Sequence, residues 1–170
     1  MHVQRANAKP EIASVRNMAT LRRATRSDEQ GILALVPRLL NFGPPPWRDR
    51  DQMGEADLET ISKALRSETD DPVVYVAELH GALAGFMHLH SVADYYRRRS
   101  HGHVADIVVA PQAEGHGVAT LMLSEAESWA KAQGFDWLSI SVFERNRRAV
   151  GLYEHLGFGR DILRLVKPLK

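Results

Sequence analysis

Grouped and alternating hydrophobic positions predict three elements in the first part of the chain. Residues 20–25 have the character of a short strand, and Ser27 or Asp28 is placed to cap the helix that follows. A loop with three prolines comes next at residues 41–51, and a weaker helical pattern covers residues 57–66. The apolar positions of the first helix are Ile32, Leu33, Leu35, Val36, Leu39 and Leu40.

The remaining pattern predicts a hairpin and then alternating strands and helices. Two β-rich runs, residues 72–79 and 82–92, flank a tight turn at His80 and Gly81. The order β-α-α-β-β-β-α-β-α-β, without repeats or linkers, predicts one domain of the α/β (α+β) class. The later segments are a strand at 103–110, a helix at 118–133, a strand at 136–143, a helix at 146–156, and one long strand or a strand pair at 158–169.

Composition narrows the classes of function. The 170 residues are 44% hydrophobic and include 22 basic and 21 acidic side chains, so no general attraction to nucleic acid or membrane is expected. The absence of cysteine excludes a thiol nucleophile and a disulfide framework, and fits a cytoplasmic protein. Residues 1–17 are polar and are expected to form a flexible extension before a domain at residues 18–170.

A glycine-containing turn separates the third strand of the hairpin region from the helix at 118–133. Gly115 and Gly117 remove side chains where the backbone turns, so successive amides from Gly115 to Thr120 can point at one position. That position lies at the positive end of the helix dipole, which favours a bound anion such as a pyrophosphate. A plain strand-to-helix turn is the alternative, and the segment matches neither a Rossmann fingerprint nor a Walker loop.

The helix at 146–156 carries a candidate general acid. Asn146 and Tyr153 are seven residues apart and share a face, and Ala149 between them is small enough for a ligand to pass. A tyrosine, with a pKa near 10, can donate a proton to a departing thiolate, whose thiol has a pKa near 8.5. The alternative is an amphipathic helix whose tyrosine packs as a phenylalanine would.

These two segments together resemble the GNAT superfamily of acyl-CoA-dependent N-acyltransferases. The motifs VVAPQAEGHGVATLML and SVFERNRRAVGLYEHLGF occur in the order and spacing of that family, and the resemblance covers roughly residues 20–168. It implies a mixed, largely antiparallel central sheet flanked by helices, with acetyl-CoA or coenzyme A as co-substrate. It also implies transfer of an acetyl group to a primary amine by direct attack, and a possible homodimer.

The resemblance assigns roles to individual residues. Tyr153 would protonate the coenzyme A thiolate, and Asn146 would contact the coenzyme arm. The main chain of Ile107, Val108 and Val109 would pair with pantetheine. The residues expected around the coenzyme are Ile107, Val108, Val109, Glu114, Gly115, His116, Gly117, Val118, Ala119, Thr120, Asn146, Arg148, Ala149 and Tyr153.

Glu114 departs from the family pattern, which usually has Arg or Gln at that position. A carboxylate about 4 Å from a phosphate costs about 1 kcal/mol in water. Either Glu114 points away from the phosphates, or His116, Arg147 and Arg148 offset its charge.

The candidate base is Asp106, because a carboxylate next to Ile-Val-Val in a strand is desolvated. A structural aspartate is the equal alternative. His103 is the second candidate base among eight histidines; His88 with His90, and His101 with His103, are spaced to share a face. A proton relay is one function that these histidine pairs could serve. No metal site is expected, because the sequence does not indicate ligands that converge on one point.

The acceptor is expected to be a small-molecule amine or a peptide. Residues 41–51, 57–66 and 94–102 are expected to line its site, with Trp47, Tyr95 and Tyr96 as walls. A solvated loop is the preferred interpretation of the basic run at 97–99. The second functional hypothesis is a non-catalytic acyl-CoA-binding regulatory module on the same fold, and the third is an anion-binding domain unrelated to coenzyme A.

Overall fold

A five-stranded sheet in the order β1-β2-β3-β4-β5 runs through the part of the chain that the computed structural model describes, residues 18–169. The expected extension at residues 1–17 lies outside the described residues. The strands are β1 (Thr20–Arg23), β2 (Val73–Leu79), β3 (Ala82–Ala93), β4 (Ser100–Val109) and β5 (Leu138–Ile140). The helices are α1 (Glu29–Leu35), α2 (Arg50–Leu65), α3 (Val118–Ala132) and α4 (Arg147–His155), with short 3-10 turns at Arg26–Asp28, Val36–Leu40 and Pro111–Ala113.

The sheet is mixed and largely antiparallel, as the family resemblance implies. Strands β1 to β4 are antiparallel to their neighbours, and only β5 runs parallel to β4. The crossover from β4 to β5 passes through α3, which is the connection that a parallel pair requires. The pairing of β4 with β5 is short and covers Gly102 to Val104 opposite Leu138 to Ile140.

Two hydrophobic clusters cover the two faces of the sheet. On one face α3 contributes Met122, Ala126 and Trp129 to a cluster that also contains Tyr153 of α4. On the other face Ile32 of α1 and Ile61 of α2 pack on sheet residues that include Phe86 and Val108. Gly102 is needed at the first face, because a Cβ there would lie 2.9 Å from the Trp129 ring. The helices therefore sandwich the sheet, and the site can be assigned to one face or the other.

Four sequence predictions differ from the observed elements. Helix α2 begins at Arg50 rather than at residue 57, because Asp49 caps it by accepting a hydrogen bond from the Gln52 amide at 2.9 Å. Strand β4 begins at Ser100, and β5 is confined to Leu138–Ile140. Asp28 precedes α1, but its carboxylate accepts from Thr25 and Arg22 instead of capping that helix.

The predicted last strand at residues 158–169 is wrong. This segment has no strand pairing, and Ile162 and Leu163 are 80% and 77% exposed. Its apolar residues occur as adjacent pairs, Ile162-Leu163 and Leu165-Val166, so a strand would present an apolar side chain on both faces. The alternation that fixes a half-buried strand is therefore missing here.

None of the helices within residues 18–169 has the length and apolar character that a membrane crossing needs.

Candidate active site

Strand β4 has an open edge where it continues beyond β5. The parallel pairing stops at Val104 and Ile140, whereas β4 runs on to Val109. Among the described residues no strand lies beside Ile107, Val108 and Val109 on that side, so main-chain groups of β4 are available there. The gap has the form that an extended, amide-containing ligand can enter by adding to the sheet edge.

The turn after β4 presents free amides at the start of α3. Gly115 and Gly117 have φ values of 79° and 75°, a left-handed conformation that favours glycine. Within residues 18–169, the amides of Gly115, Gly117, Val118, Ala119 and Thr120 donate to no protein acceptor. The amide of His116 does donate, to the Ala113 carbonyl at 3.4 Å. This arrangement is an anion site by its geometry.

Glu114 is neutralised by two arginines. Its carboxylate oxygens lie 2.6 Å from Nη2 of Arg38 and 2.6 Å from Nη1 of Arg148. The hydrogen bond from Arg148 is the main reason that the pKa of Glu114 is lowered, and the Arg38 charge acts in the same direction. Basic side chains therefore offset the charge of Glu114, which is one of the two expected arrangements. Arg148 is one of the expected partners, and Arg38 is the second partner in place of His116 and Arg147.

Helix α4 places Tyr153 against the core. Asn146 caps this helix, and its Oδ1 accepts from the Ala149 amide at 3.3 Å. Tyr153 is buried, 8% exposed, and its ring meets that of Phe158 edge to face at 6.0 Å. Burial raises the pKa of Tyr153 to about 12, so the phenol keeps its proton at neutral pH. A protonated phenol is what a general acid requires.

Titratable side chains gather on the face of β3 and β4 that α2 covers. Nδ1 of His88 lies 2.9 Å from Oδ2 of Asp106, directly across the strand pair. The ring centroids of His88 and His90 are 5.6 Å apart, and those of His90 and His103 are 5.4 Å apart. Asp57 of α2 is near enough to this group for its charge to interact with that of Asp106. We call His88, His90, His103, Asp106 and Asp57 the polar cluster.

Burial changes the protonation of two members of the polar cluster. It lowers the pKa of His103 to about 4, helped by the charges of His90 and His101, so this imidazole is neutral at pH 7. Its Nδ1 also lies 2.8 Å from the Ser139 hydroxyl. An imidazole with so low a pKa is a weak base toward an ammonium group. Burial, followed by the charge of Asp106, raises the pKa of Asp57 to about 6.

The expected walls of the acceptor site are not brought together. Tyr95 and Tyr96 are 88% and 84% exposed at the turn between β3 and β4, the end of the hairpin away from Val109. Trp47 lies half-exposed in the loop before α2. That loop does approach the β5 side, because the Phe42 ring stacks on Phe143 at 4.8 Å. The loop at residues 41–51 is thus beside the open edge, and the two tyrosines are remote from it.

Sequence reasoning missed the site roles of Arg38, His88 and Asp57. Arg38 bonds the Val109 carbonyl at 3.0 Å as well as Glu114, and no local motif marks it. The sequence marks His88 only by its spacing from His90, because its partner across the sheet depends on strand register.

Among residues 18–169, no group of three or more His, Asp or Glu side chains could hold a metal ion.

Comparison with known proteins assigns the family. The model of the acetyltransferase (GNAT) family matches residues 37–158, so the chain belongs to this family. It is an acyltransferase that uses acetyl-CoA as its co-substrate. The match contains both the glycine turn and α4.

Curated relatives and a solved structure agree with this assignment. The uncharacterized N-acetyltransferase YhfO of Bacillus subtilis is 28% identical over 83% of this chain and 90% of its own length. The aminoalkylphosphonate N-acetyltransferase of Salmonella typhimurium is 24% identical over 88% of this chain and 90% of its own length. The aminoglycoside N-acetyltransferase AAC(6')-Iy, solved with coenzyme A, is 18% identical and shares the fold with a TM-score of 0.68 over 91% of this chain and 95% of that one.

Proposed function

We propose that this protein transfers the acetyl group of acetyl-CoA to the primary amine of a small molecule by direct attack. The observation that carries the proposal is the set of free amides at the start of α3 beside the open edge of β4. The pyrophosphate would be bound by the amides of Gly115, Gly117, Val118, Ala119 and Thr120. His116 lies within the same turn, and Arg148 is held beside the turn by its hydrogen bond to Glu114. Ile107, Val108 and Val109 would pair with pantetheine.

The proposed reaction uses Asp106 as base and Tyr153 as acid. The acceptor arrives as an ammonium ion and gives one proton to the Asp106 carboxylate, which leaves a neutral nitrogen able to attack the thioester carbonyl. An amide of β4 would stabilise the developing oxyanion. As the C–N bond forms and the C–S bond breaks, the thiolate takes the Tyr153 proton. The second proton of the nitrogen restores the phenol, and the proton held by Asp106 passes to solvent.

The buried state of Tyr153 supports this role. With its pKa raised to about 12, the phenol is protonated throughout the pH range in which an enzyme is assayed. Asn146 and Ala149 precede it on α4, where the Asn146 oxygen caps the helix and its amide nitrogen remains for a ligand. His103, the second candidate base, is disfavoured by its pKa of about 4.

A small-molecule amine is preferred to a peptide as acceptor. A curated relative that spans most of the chain is named for an aminoalkylphosphonate, a small amine. The polar cluster adds carboxylates, Asp57 and Asp106, that attract a protonated amine. No observation on the described residues favours the regulatory hypothesis. The homodimer and the cytoplasmic location remain predictions.

The decisive experiment is a screen of amines with acetyl-CoA at several pH values, read as release of free thiol. We expect Tyr153→Phe to lower kcat by about a hundredfold or more, because it removes the proton donor but keeps the ring. Tyr75→Phe is the matched control, since this partly buried tyrosine lies on β2 away from the open edge. Acetyl-CoA binding without turnover on any amine, or full activity of Tyr153→Phe, would contradict the proposal.

A further inference from the structure

His88 is an unusual residue for the middle of a sheet. It is 4% exposed and is the one buried polar or charged side chain among the residues that the structure describes. A buried polar group is costly unless it is hydrogen-bonded, and the contact to Asp106 supplies that bond. An ionised carboxylate only accepts, so Nδ1 of His88 carries the proton and donates it to Oδ2.

A bulge in β4 brings Asp106 to His88. Asp106 pairs with His88, but the next pair is Leu89 with Val104, so Ala105 is an extra residue in β4. In a regular strand, two residues three positions apart, such as His103 and Asp106, point to opposite faces, since side chains alternate. With the extra residue, both lie on the face that α2 covers. The backbone therefore deviates at the position that turns this carboxylate toward His88.

Asp106 also lies next to the donor strand edge. It immediately precedes Ile107, and β4 has no neighbour on its β5 side beyond Val104 among the described residues. The charge of Asp57 on α2 also interacts with that of Asp106. The carboxylate has two oxygens, and His88 engages Oδ2, which leaves Oδ1 as the acceptor for a proton from the cleft. Fixing one oxygen determines where the other one points.

We propose that His88 is a positioning residue for the transfer reaction: its Nδ1–H holds one oxygen of Asp106, which orients the other oxygen toward the amine. This inference rests on the proposed role of Asp106 as base. His88 touches neither substrate in this scheme and acts only through Asp106. Its effect therefore belongs to kcat, and the KM for acetyl-CoA stays unchanged.

The test compares two substitutions of His88 that differ in one donor. His88→Asn places an amide nitrogen near the position of Nδ1 and keeps the donor, whereas His88→Leu fills similar space without one. We expect His88→Leu to lower kcat by about ten- to a hundredfold, as misplacement of a reacting group does, while the KM for acetyl-CoA stays at the wild-type value. His88→Asn should recover most of the rate, because it keeps the donor.

Asp106→Asn separates this inference from the proposed function. The double variant His88→Leu with Asp106→Asn should be no slower than Asp106→Asn alone, because one residue acts through the other. An active Asp106→Asn variant would overturn both the base and the positioning role. A slow Asp106→Asn variant beside His88→Leu with the wild-type rate would overturn the positioning role only. His88→Asn as slow as His88→Leu would also overturn it and indicate a packing role.

Discussion

Burial favours the neutral form of three titratable side chains of the site. It therefore raises the pKa of Tyr153 and Asp57 and lowers that of His103. It keeps Tyr153 protonated at every useful pH, with a pKa of about 12, and keeps His103 neutral, with a pKa of about 4. For Asp57 it gives a pKa of about 6, so this carboxyl changes charge just below neutrality. Asp57 is therefore a residue of the polar cluster whose titration should be visible in the stability of the protein.

Asp57 is expected to lower stability when it ionises. Its folded pKa of about 6 lies above the value of about 3.9 for an unfolded chain, so folding favours the protonated form. Stability that is present below pH 4 is then lost as the pH rises through 6. Asp57→Asn should become progressively more stable than the wild type over this range, by about 1 kcal/mol at pH 7 after solvent screening. Thermal unfolding at pH 4, 5, 6 and 7 measures the difference.

Glu59 of the same helix provides the control for this prediction. It pairs with Lys63 at 2.6 Å, and that partner lowers its pKa, the opposite direction from Asp57. Glu59→Gln should therefore show no gain in stability as the pH rises. A difference between Asp57→Asn and the wild type that stays constant from pH 4 to pH 7 would show that Asp57 does not titrate in this range.

Motifs located some residues of the site, but not those that act through other residues. Asp106 and Tyr153 stand out in the sequence because a carboxylate in an apolar strand and a tyrosine two turns after an asparagine are local patterns. His88 and Arg38 gain their meaning from partners 18 and 71 residues away. No local pattern contains that information, since the contacts form only when strand register and helix packing are set.

The elements of the chain follow their local signals where those signals are strong. Helix α3 starts after Gly117 and ends before Gly134, and both glycines have the left-handed φ that their positions require, 75° and 74°. The start of α2 was available in the sequence as the cap Asp49, and the proline-rich loop before it obscured the signal. The segment at residues 158–169 shows the converse, since β-formers alone do not make a strand without alternation or a partner.

The two glycines at the ends of α3 allow a matched test of the anion site. Alanine at either position adopts a left-handed φ and costs about 1 kcal/mol of stability. Gly117→Ala should also weaken acetyl-CoA binding about tenfold, equivalent to about 1.4 kcal/mol, because the free amides shift when the turn relaxes. Gly134→Ala should lose similar stability and keep its affinity. Calorimetric titration with acetyl-CoA measures the affinity of both variants. Equal affinity in the two variants would mean that the turn does not bind the coenzyme.

At the scale of the whole molecule, Glu114 links three separate parts of the chain. It joins Arg38 from the 3-10 turn after α1 and Arg148 from α4 to the turn between β4 and α3. Arg38 also holds the Val109 carbonyl. Two guanidinium groups thus lie beside the proposed pyrophosphate site, and both are engaged by one carboxylate.

Removing the Glu114 charge is expected to strengthen donor binding. Glu114→Gln takes away one repulsive charge and releases two cations for the phosphates, so the Kd of coenzyme A should fall about three- to tenfold at low salt. The gain should shrink at high salt because screening weakens exposed charges. Glu144→Gln is the control, since Glu144 pairs with Arg147 at 3.3 Å near the same helix end. Weaker binding by Glu114→Gln would show instead that the bridge is needed to shape the site.

The sequence by itself determined the glycine turn and the helix with Tyr153, because each is encoded in residues close together along the chain. The order of elements predicted the α/β (α+β) class, and the two motifs carried the family resemblance that implied the acetyl-CoA co-substrate. Only the tertiary structure decided the open edge of β4, the bulge at Ala105, the contact of His88 with Asp106 and the two arginines on Glu114. These depend on register and packing between distant segments. A shift of one residue in strand pairing reverses which face a side chain occupies, and no single segment carries that choice.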